Sequence, residues 1–128
     1  MGARNLSQQQ YAIERDTVKI YARGTGAGTS ALTSVKGKGV TSITRQGTGT
    51  HTVNLTDTWN GLLAFSACII DATTPDDWEV VVTAETVAST KTVAIAIFKG
   101  GTAADLSTDE KILIEITVSR SANKPTSY

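Results

Sequence analysis

The sequence predicts an all-β fold: an antiparallel β-sandwich or jelly roll of about seven or eight strands, with a short N-terminal arm or helix. Three observations lead to this prediction. Thr makes up roughly a sixth of the chain and Val and Ile are frequent, and β-branched side chains favour the pleated sheet. Apolar residues recur at every second position along several short runs. Gly and Pro, rather than helical stretches, separate these runs.

The last run shows the strictest alternation. Between Lys111 and Arg120, one set of branched residues points to one side and a mixed set that includes Leu113 points to the other. A helix would scatter the same residues around its circumference. The residues expected to face the core are Ile112, Ile114, Ile116 and Val118.

Two hairpins are predicted. The runs Val40–Arg45 and His51–Thr56 are joined by Gln46–Thr50, a Gly-containing link of hairpin length. The run Trp78–Ala88 turns into the alternating run Val93–Ile97. Within the first hairpin, the residues expected to face the core are His51, Val53 and Leu55.

The run Leu62–Ile70 is apolar on both faces, which predicts a central strand covered on both sides. Its Cys68, the only cysteine, is therefore expected in the core rather than as a nucleophile. Three apolar residues elsewhere point outward and predict either a second core layer or a subunit interface. They are Val81, Val87 and Leu113.

One folded domain is expected, with a segment on either side of it. Residues 1–16 predict an arm or a short helix, which Asn5 or Ser7 would cap. Residues 17–120 contain the sandwich, in which Ala103–Leu106 are compatible with a single helical turn. Residues 121–128 are polar and predict a flexible tail.

Charge and hydropathy exclude several classes of function. Twelve Lys and Arg balance twelve Asp and Glu, so the chain has no field to hold nucleic acid or an anionic membrane. No run reaches the roughly 18 apolar residues of a membrane span, and residues 1–16 lack the apolar core of a signal peptide. We expect a protein made in the cytoplasm that binds neither nucleic acid nor membrane.

No catalytic constellation is evident. Gly24–Gly28 is similar to the start of a dinucleotide fingerprint, but Thr29 stands where the third glycine belongs, which indicates a turn. The only histidine, His51, alternates with strand residues, and one His and one Cys do not make a zinc site. We therefore expect neither enzymatic activity nor a cofactor. The acidic loop Asp71–Asp77 is compatible either with a calcium site formed by its carboxylates or with a solvated loop.

The two tryptophans have different surroundings. Trp78 begins a strand in phase with valines, which predicts a core position. Trp59 lies in the polar loop Thr56–Gly61. It is expected either to be partly exposed as a contact residue or to fold back over the end of the sandwich.

The segment Gly37–Thr56 resembles a recurrent piece of tailed-bacteriophage virion proteins. In those proteins a strand of the type V-x-S-I-T-R precedes G-x-G-x-[YH]-T-V-x-L, and Val40–Arg45 and Gly47–Leu55 match the two parts. The resemblance is to small capsid decoration, or cement, proteins and to some tail-fibre domains. It implies a protein added in many copies to the outside of a shell, where it holds capsomers together.

Two functions are compatible with these observations. The first is a non-enzymatic decoration protein of the virion, homo-oligomeric, with the major capsid protein or other virion subunits as partners. The alternative is a tail or fibre module in which Trp59 and Asp71–Asp77 bind a host-surface glycan. The residues predicted to bind the partner in the first case are Arg4, Gln9, Tyr11, Arg15, Lys36, Lys38 and Trp59.

Overall fold

A computed structural model describes residues 17–73 and 75–120 of the chain. Over this range the backbone forms nine strands, which pair into two antiparallel sheets packed face to face. The predicted all-β sandwich is thereby confirmed. The predicted arm and tail, residues 1–16 and 121–128, lie outside the described residues. Within the described range no helix is long and apolar enough to cross a membrane.

The strands range from two to eleven residues in length. In chain order they are β1 (Thr17–Thr25), β2 (Thr33–Lys36), β3 (Val40–Gly47), β4 (Thr50–Leu55), β5 (Gly61–Asp71), β6 (Trp78–Thr86), β7 (Thr92–Lys99), β8 (Thr102–Ala103) and β9 (Glu110–Ser119). Sheet A has the order β2–β1–β9–β5. Sheet B has the order β3–β4–β7–β6, with β8 paired to β7. Both predicted hairpins, β3–β4 and β6–β7, are present.

The core lies between the sheets and is built from the inward rows of the central strands. The predicted alternation of β9 is confirmed, since its four inward residues are buried while Leu113 between them is exposed. The inward face predicted for β4 is also confirmed. Val87 differs from expectation, because it follows the end of β6 and is fully buried rather than outward. The buried inward residues of β4 and β9 are His51, Val53, Leu55, Ile112, Ile114, Ile116 and Val118.

The two lateral sides of the sandwich differ. On the β2 and β3 side, the backbone N–H of Leu32 donates to the carbonyl oxygen of Ile43 at 3.1 Å, and Leu32 is buried. This contact joins the chain leading into sheet A to sheet B and closes that side. On the opposite side, among the described residues, β5 pairs only with β9 and β6 only with β7. No residue of β5 or β6 is fully buried, so the part of the chain that the structure describes leaves this side open.

The prediction that Leu62–Ile70 forms a central strand was wrong. The run is a strand, β5, but it lies at the edge of sheet A. Its inward residues are half-covered by β6, and its outward residues face solvent. Cys68 is one of the outward residues and is exposed, so its expected core position was also wrong.

The loops collect at two ends of the sandwich. At the first, which we call the Trp59 end, the start of β1 meets the end of β9, with Thr17 opposite Ser119. The backbone N–H of Asn60 donates to the carbonyl oxygen of Ser119 at 2.9 Å. The N–H of Thr56 donates to the carbonyl of Gly39 at the same distance, so the β2–β3 turn lies at this end too.

At the second end, which we call the Asp105 end, the loops before β2, β4, β6 and β9 meet. The N–H of Gly26 donates to the carbonyl oxygen of Glu110 at 2.8 Å. A Cβ at Gly26 would lie 2.1 Å from the carbonyl oxygen of Ser107, so a larger residue would push the loops apart. The single helical turn considered at Ala103–Leu106 is not formed, because Ala103 pairs with β7 and residues 104–107 are not helical.

Replacing Ile116 by Ala should lower the free energy of unfolding by about 2–5 kcal/mol, because truncating a fully buried side chain leaves a cavity. The matched control is Leu113→Ala on the outward face of the same strand, which should cost less than about 1 kcal/mol. Urea denaturation followed by circular dichroism measures both losses. Equal losses would contradict the assignment of the two faces of β9.

Candidate functional site

The outer face of sheet A carries exposed bulky residues beside the side chains of Arg23 and Lys36. We call this surface the Tyr21 face and define it by Tyr21, Arg23, Lys36 and Leu113. Tyr21 on β1 is 59% exposed and Leu113 on β9 is 38% exposed. The two strands are adjacent, with Arg23 directly opposite Leu113. Clustered apolar exposure of this kind is typical of binding surfaces.

Two shallow hollows flank the Tyr21 face. The first has a volume of about 390 Å³ and extends toward the end of β2. The second has a volume of about 230 Å³ and extends toward β5, where Ser66 and Cys68 line it. Both hollows are bordered by Tyr21 and Leu113, so these two side chains stand as a ridge between them. The first hollow is lined by Tyr21, Ala22, Arg23, Lys36, Gly37, Leu113 and Ile114.

The charges around the Tyr21 face are not equally engaged. Nζ of Lys19 lies 2.7 Å from Oε1 of Glu115, and this hydrogen bond raises the pKa of Lys19. Arg23 and Lys36 have no ion-pair partner among the described residues. Their two positive charges are therefore available to carboxylates of a bound partner.

The turn between β2 and β3 places its lysines beside this surface. Gly37 has a φ of 134°, and a Cβ there would lie 2.2 Å from the carbonyl oxygen of Tyr21. Glycine therefore allows the turn to pass in contact with β1. As a result Lys36 lines the first hollow, and Lys38 is exposed in the turn itself, close to the Trp59 end.

Trp59 covers one end of the core. Its ring is half-buried and packs against the core cluster, and its backbone N–H donates to the carbonyl oxygen of Val87 at 2.9 Å. Nε1 of the indole is buried and has no hydrogen-bond partner among the described residues. Of the two positions considered from the sequence, the structure shows the one folded back over the end. A hollow of about 300 Å³ beside the ring is lined by Asp57, Thr58, Asn60, Ala88 and Arg120.

Three predicted contact residues lie on the same part of the molecule. Lys36 and Lys38 flank the Gly37 turn, and Trp59 is in the loop joined to that turn. Tyr21 was not among the predicted contact residues, although its place as an aromatic residue on the outward side of an alternating strand was a signal for it. The other predicted contact residues lie outside the described residues; they are Arg4, Gln9, Tyr11 and Arg15.

The two parts of the glycan site considered from the sequence lie far apart. Trp59 precedes the start of β5, and the Asp71–Asp77 loop begins where β5 ends. Because β5 has eleven residues, it separates them by about 33 Å along the strand. Trp59 and the acidic loop therefore do not form one site.

The carboxylates of the acidic loop take part in local hydrogen bonds. Oδ2 of Asp71 accepts from Nε1 of Trp78 at 3.0 Å, and Oδ1 of Asp76 accepts from the backbone N–H of Asp77 at 2.7 Å. Trp78 itself is half-buried, less than its predicted core position implies. In the described part of the loop and of the chain, no three His, Cys, Asp or Glu side chains are placed to hold a metal ion.

A polar cluster fastens the loops at the Asp105 end. Nε and Nη2 of Arg45 each donate to the carboxylate of Asp105 at 2.9 Å, and the backbone N–H of Gly49 donates to the same carboxylate at 2.9 Å. This bidentate pair joins the loop before β9 to the β3–β4 hairpin. His51 lies beneath it, 1% exposed. Neither ring nitrogen of His51 has a hydrogen-bond partner among the described residues.

The cluster shifts the pKa values of its members in a consistent way. Burial lowers the pKa of His51, and the nearby Asp105 carboxylate opposes this shift in part. The hydrogen bonds from Arg45 lower the pKa of Asp105, and the same contact raises the pKa of Arg45. His51 is therefore neutral at pH 7, while the ion pair is charged. Without a hydroxyl or thiol bonded to it in the described structure, this imidazole has no nucleophile to activate.

No protein-family model matches the chain, and comparison with curated proteins and with solved structures finds no significant match.

Acidification from pH 7 toward pH 5 should destabilise the protein through His51. Below its ordinary pKa of about 6.5, the imidazole of the unfolded chain takes up a proton that the buried imidazole does not. The unfolded state therefore binds more protons, and the free energy of unfolding decreases as the pH is lowered. The expected slope is at most about 1.4 kcal/mol per pH unit. Urea titrations across this interval measure it.

The control variant is His51→Leu, which replaces an unpartnered ring by an apolar side chain of comparable size. Because the chain has a single histidine, this variant should lose the slope above about pH 5 and keep its stability at pH 7 within about 1 kcal/mol. The same slope in both proteins would show that His51 is not the titrating group.

Proposed function

We propose that this chain is a non-enzymatic structural protein of a virion, a decoration protein that binds the outside of a capsid shell. Its partner is the major capsid protein or another virion subunit. The chain is made in the host cytoplasm and is located in the assembled particle. The contact to the shell is made by the Tyr21 face together with the adjoining turn at Lys38.

The Tyr21 face is the observation that carries this proposal. Tyr21 and Leu113 offer apolar area between two hollows, and at the rim Arg23 and Lys36 offer two cations that form no ion pair within the described chain. An apolar centre with a charged rim is the usual anatomy of a protein-binding surface. Tyr and Arg are also the residue types that most often dominate the binding energy of such surfaces.

The hairpin that carries the family resemblance supports the same proposal. Its two strands, β3 and β4, are joined directly to the Lys38 turn, because β3 begins one residue after Gly39. The resemblance is to proteins that stabilise shells, and the turn is next to the Tyr21 face. The hairpin and the proposed contact surface are therefore parts of one continuous region.

Many weak contacts suffice for a decoration protein. A shell offers the same binding site in many neighbouring copies, so a subunit that bridges two of them gains from effective concentration. A formal charge of zero also lets copies stand close together without mutual repulsion. The Tyr21 face, which is defined by only four side chains, is consistent with this mode of binding.

The proposal is tested with virus heads assembled without this protein. Purified protein is added to these heads and its binding is measured. Wild-type protein should bind in a fixed ratio to capsid subunits and raise the melting temperature of the heads. The variant Leu113→Lys should weaken binding at least about tenfold, because it places a charge at the centre of the apolar ridge. Co-sedimentation with heads and differential scanning calorimetry give the two readouts.

The matched control is Val81→Lys, which makes the same exposed change on the outer face of sheet B. It should bind as wild type does, and both variants should retain the wild-type melting temperature when free. Absence of wild-type binding at micromolar concentration would refute the decoration function. Equal binding by the two variants would place the contact elsewhere than the Tyr21 face.

A further inference from the structure

From Ala64 to Ile70, the edge strand β5 lacks the features that usually prevent an exposed edge from pairing. From Gly61 to Ile70 it contains no charged residue and no proline. Its register with β9 is regular from Ala64 to Asp71, after an irregularity between Leu62 and Ala64. Its other edge pairs with no strand of the described chain. Soluble proteins commonly protect such edges with Lys, Pro or bulges, because free backbone groups recruit another strand.

An apolar row lies beside this edge, between the two sheets. We call it the β5–β6 seam. All of its members are partly buried and pack against the core, so they extend the core to the open side of the sandwich. Glu79 of β6 points to the outer face of sheet B, away from the seam. The members of the seam are Leu62, Phe65, Ala67, Ile69, Trp78, Val80 and Val82.

We propose that β5 pairs antiparallel with β5 of a second copy of this chain, forming a two-fold dimer that covers the β5–β6 seam. The uncharged sequence of the edge indicates the partner. Two identical strands without charges do not repel each other, whereas a charged partner strand would find no counter-charge between Gly61 and Ile70. Antiparallel self-pairing also closes on itself, so it yields a dimer rather than a fibre.

The two-fold arrangement is compatible with the packing of both sheets of the sandwich. The axis of an antiparallel strand pair is perpendicular to the sheet, so each layer continues into the same layer of the partner. The four-stranded sheet A then becomes one sheet of twice that width. In the other layer, β6 faces β6 of the partner, and the two seams meet between the layers.

The area available is sufficient for a specific dimer. The eleven residues of β5 span about 33 Å, and the edge strands of the two sheets together with the gap between the sheets are about 15 Å wide. These dimensions give about 500 Å² per copy and about 1,000 Å² in total, the lower limit of specific interfaces. Dissociation in the micromolar range is therefore expected, and the dimer is a property of the isolated chain, independent of any capsid.

Sedimentation equilibrium of the purified chain tests the dimer. Concentrations up to about 100 μM are used, because they lie well above a micromolar dissociation constant. Wild type should reach the mass of two chains. The variant Ala67→Lys places a charge in the middle of the seam and should remain monomeric over the same range. The control Ala31→Lys makes the same change at an exposed site outside the seam and should dimerise as wild type does. Leu113→Lys should dimerise too, because it alters the Tyr21 face alone.

A second measurement requires no change of sequence. Cys68 is the only cysteine and lies on the outward side of β5, so a nitroxide can be attached there without entering the edge. If the pairing is centred between Ala64 and Asp71, the two Cys68 residues are offset by at most eight positions, about 26 Å. Pulsed electron paramagnetic resonance should then show an interspin distance below about 40 Å, allowing for the label linkers.

Several results would overturn the proposal. They are a monomeric wild type at 100 μM, open-ended aggregates in place of a closed dimer, or an Ala67→Lys variant that dimerises like wild type. Loss of the dimer in Leu113→Lys would assign it to the Tyr21 face instead. Absence of a distance below about 40 Å between labels on Cys68 would exclude the β5 pairing even if Ala67→Lys failed to fold.

Discussion

The burial of one row of branched side chains on β9 is the constraint on which the rest of the structure depends. These residues face sheet B from the middle of sheet A, with β1 on one side and β5 on the other. Because side chains alternate along a strand, burying this row fixes which residues of β9 reach solvent. Pairing then transmits that choice to both neighbours, which places Tyr21 on the outer face beside Leu113 and leaves Cys68 exposed on β5.

The closed and the open side of the sandwich arise from the same packing. On the closed side, the chain before β2 reaches across to sheet B through Leu32 and Ile43. On the open side, the loop between β5 and β6 crosses only at the Asp105 end, so nothing in the described chain covers the rest of the two edges. The described part of the chain therefore presents two different kinds of surface. One is a sheet face whose Arg23 and Lys36 form no ion pair within that part, and the other is a sheet edge without charge from Gly61 to Ile70.

Much of this fold could be predicted from local pattern, since alternation alone identified both hairpins and the inward rows of β4 and β9. Pattern did not identify the edge position of β5, because a run that is apolar on both faces is more typical of a covered central strand. Pattern also predicted the inward position of His51 but not the polar cluster around it, because Asp105 comes from a loop far along the chain. For the candidate site, the glycine turn and its lysines were evident in the sequence. The hollow that Lys36 shares with Tyr21 and Leu113 depends on strand order, which the sequence does not specify.

The pairing of Thr17 with Ser119 brings the beginning of β1 and the end of β9 side by side. Chain that precedes or follows the sandwich is therefore attached at a single pole of the domain. Such a module can be spliced into a surface loop of a carrier protein through two closely spaced junctions, without forcing its strands apart. It can equally be circularly permuted, with new termini opened at Gly100 and Gly101 on the opposite pole, where both glycines are exposed and an added Cβ would meet nothing within 4 Å.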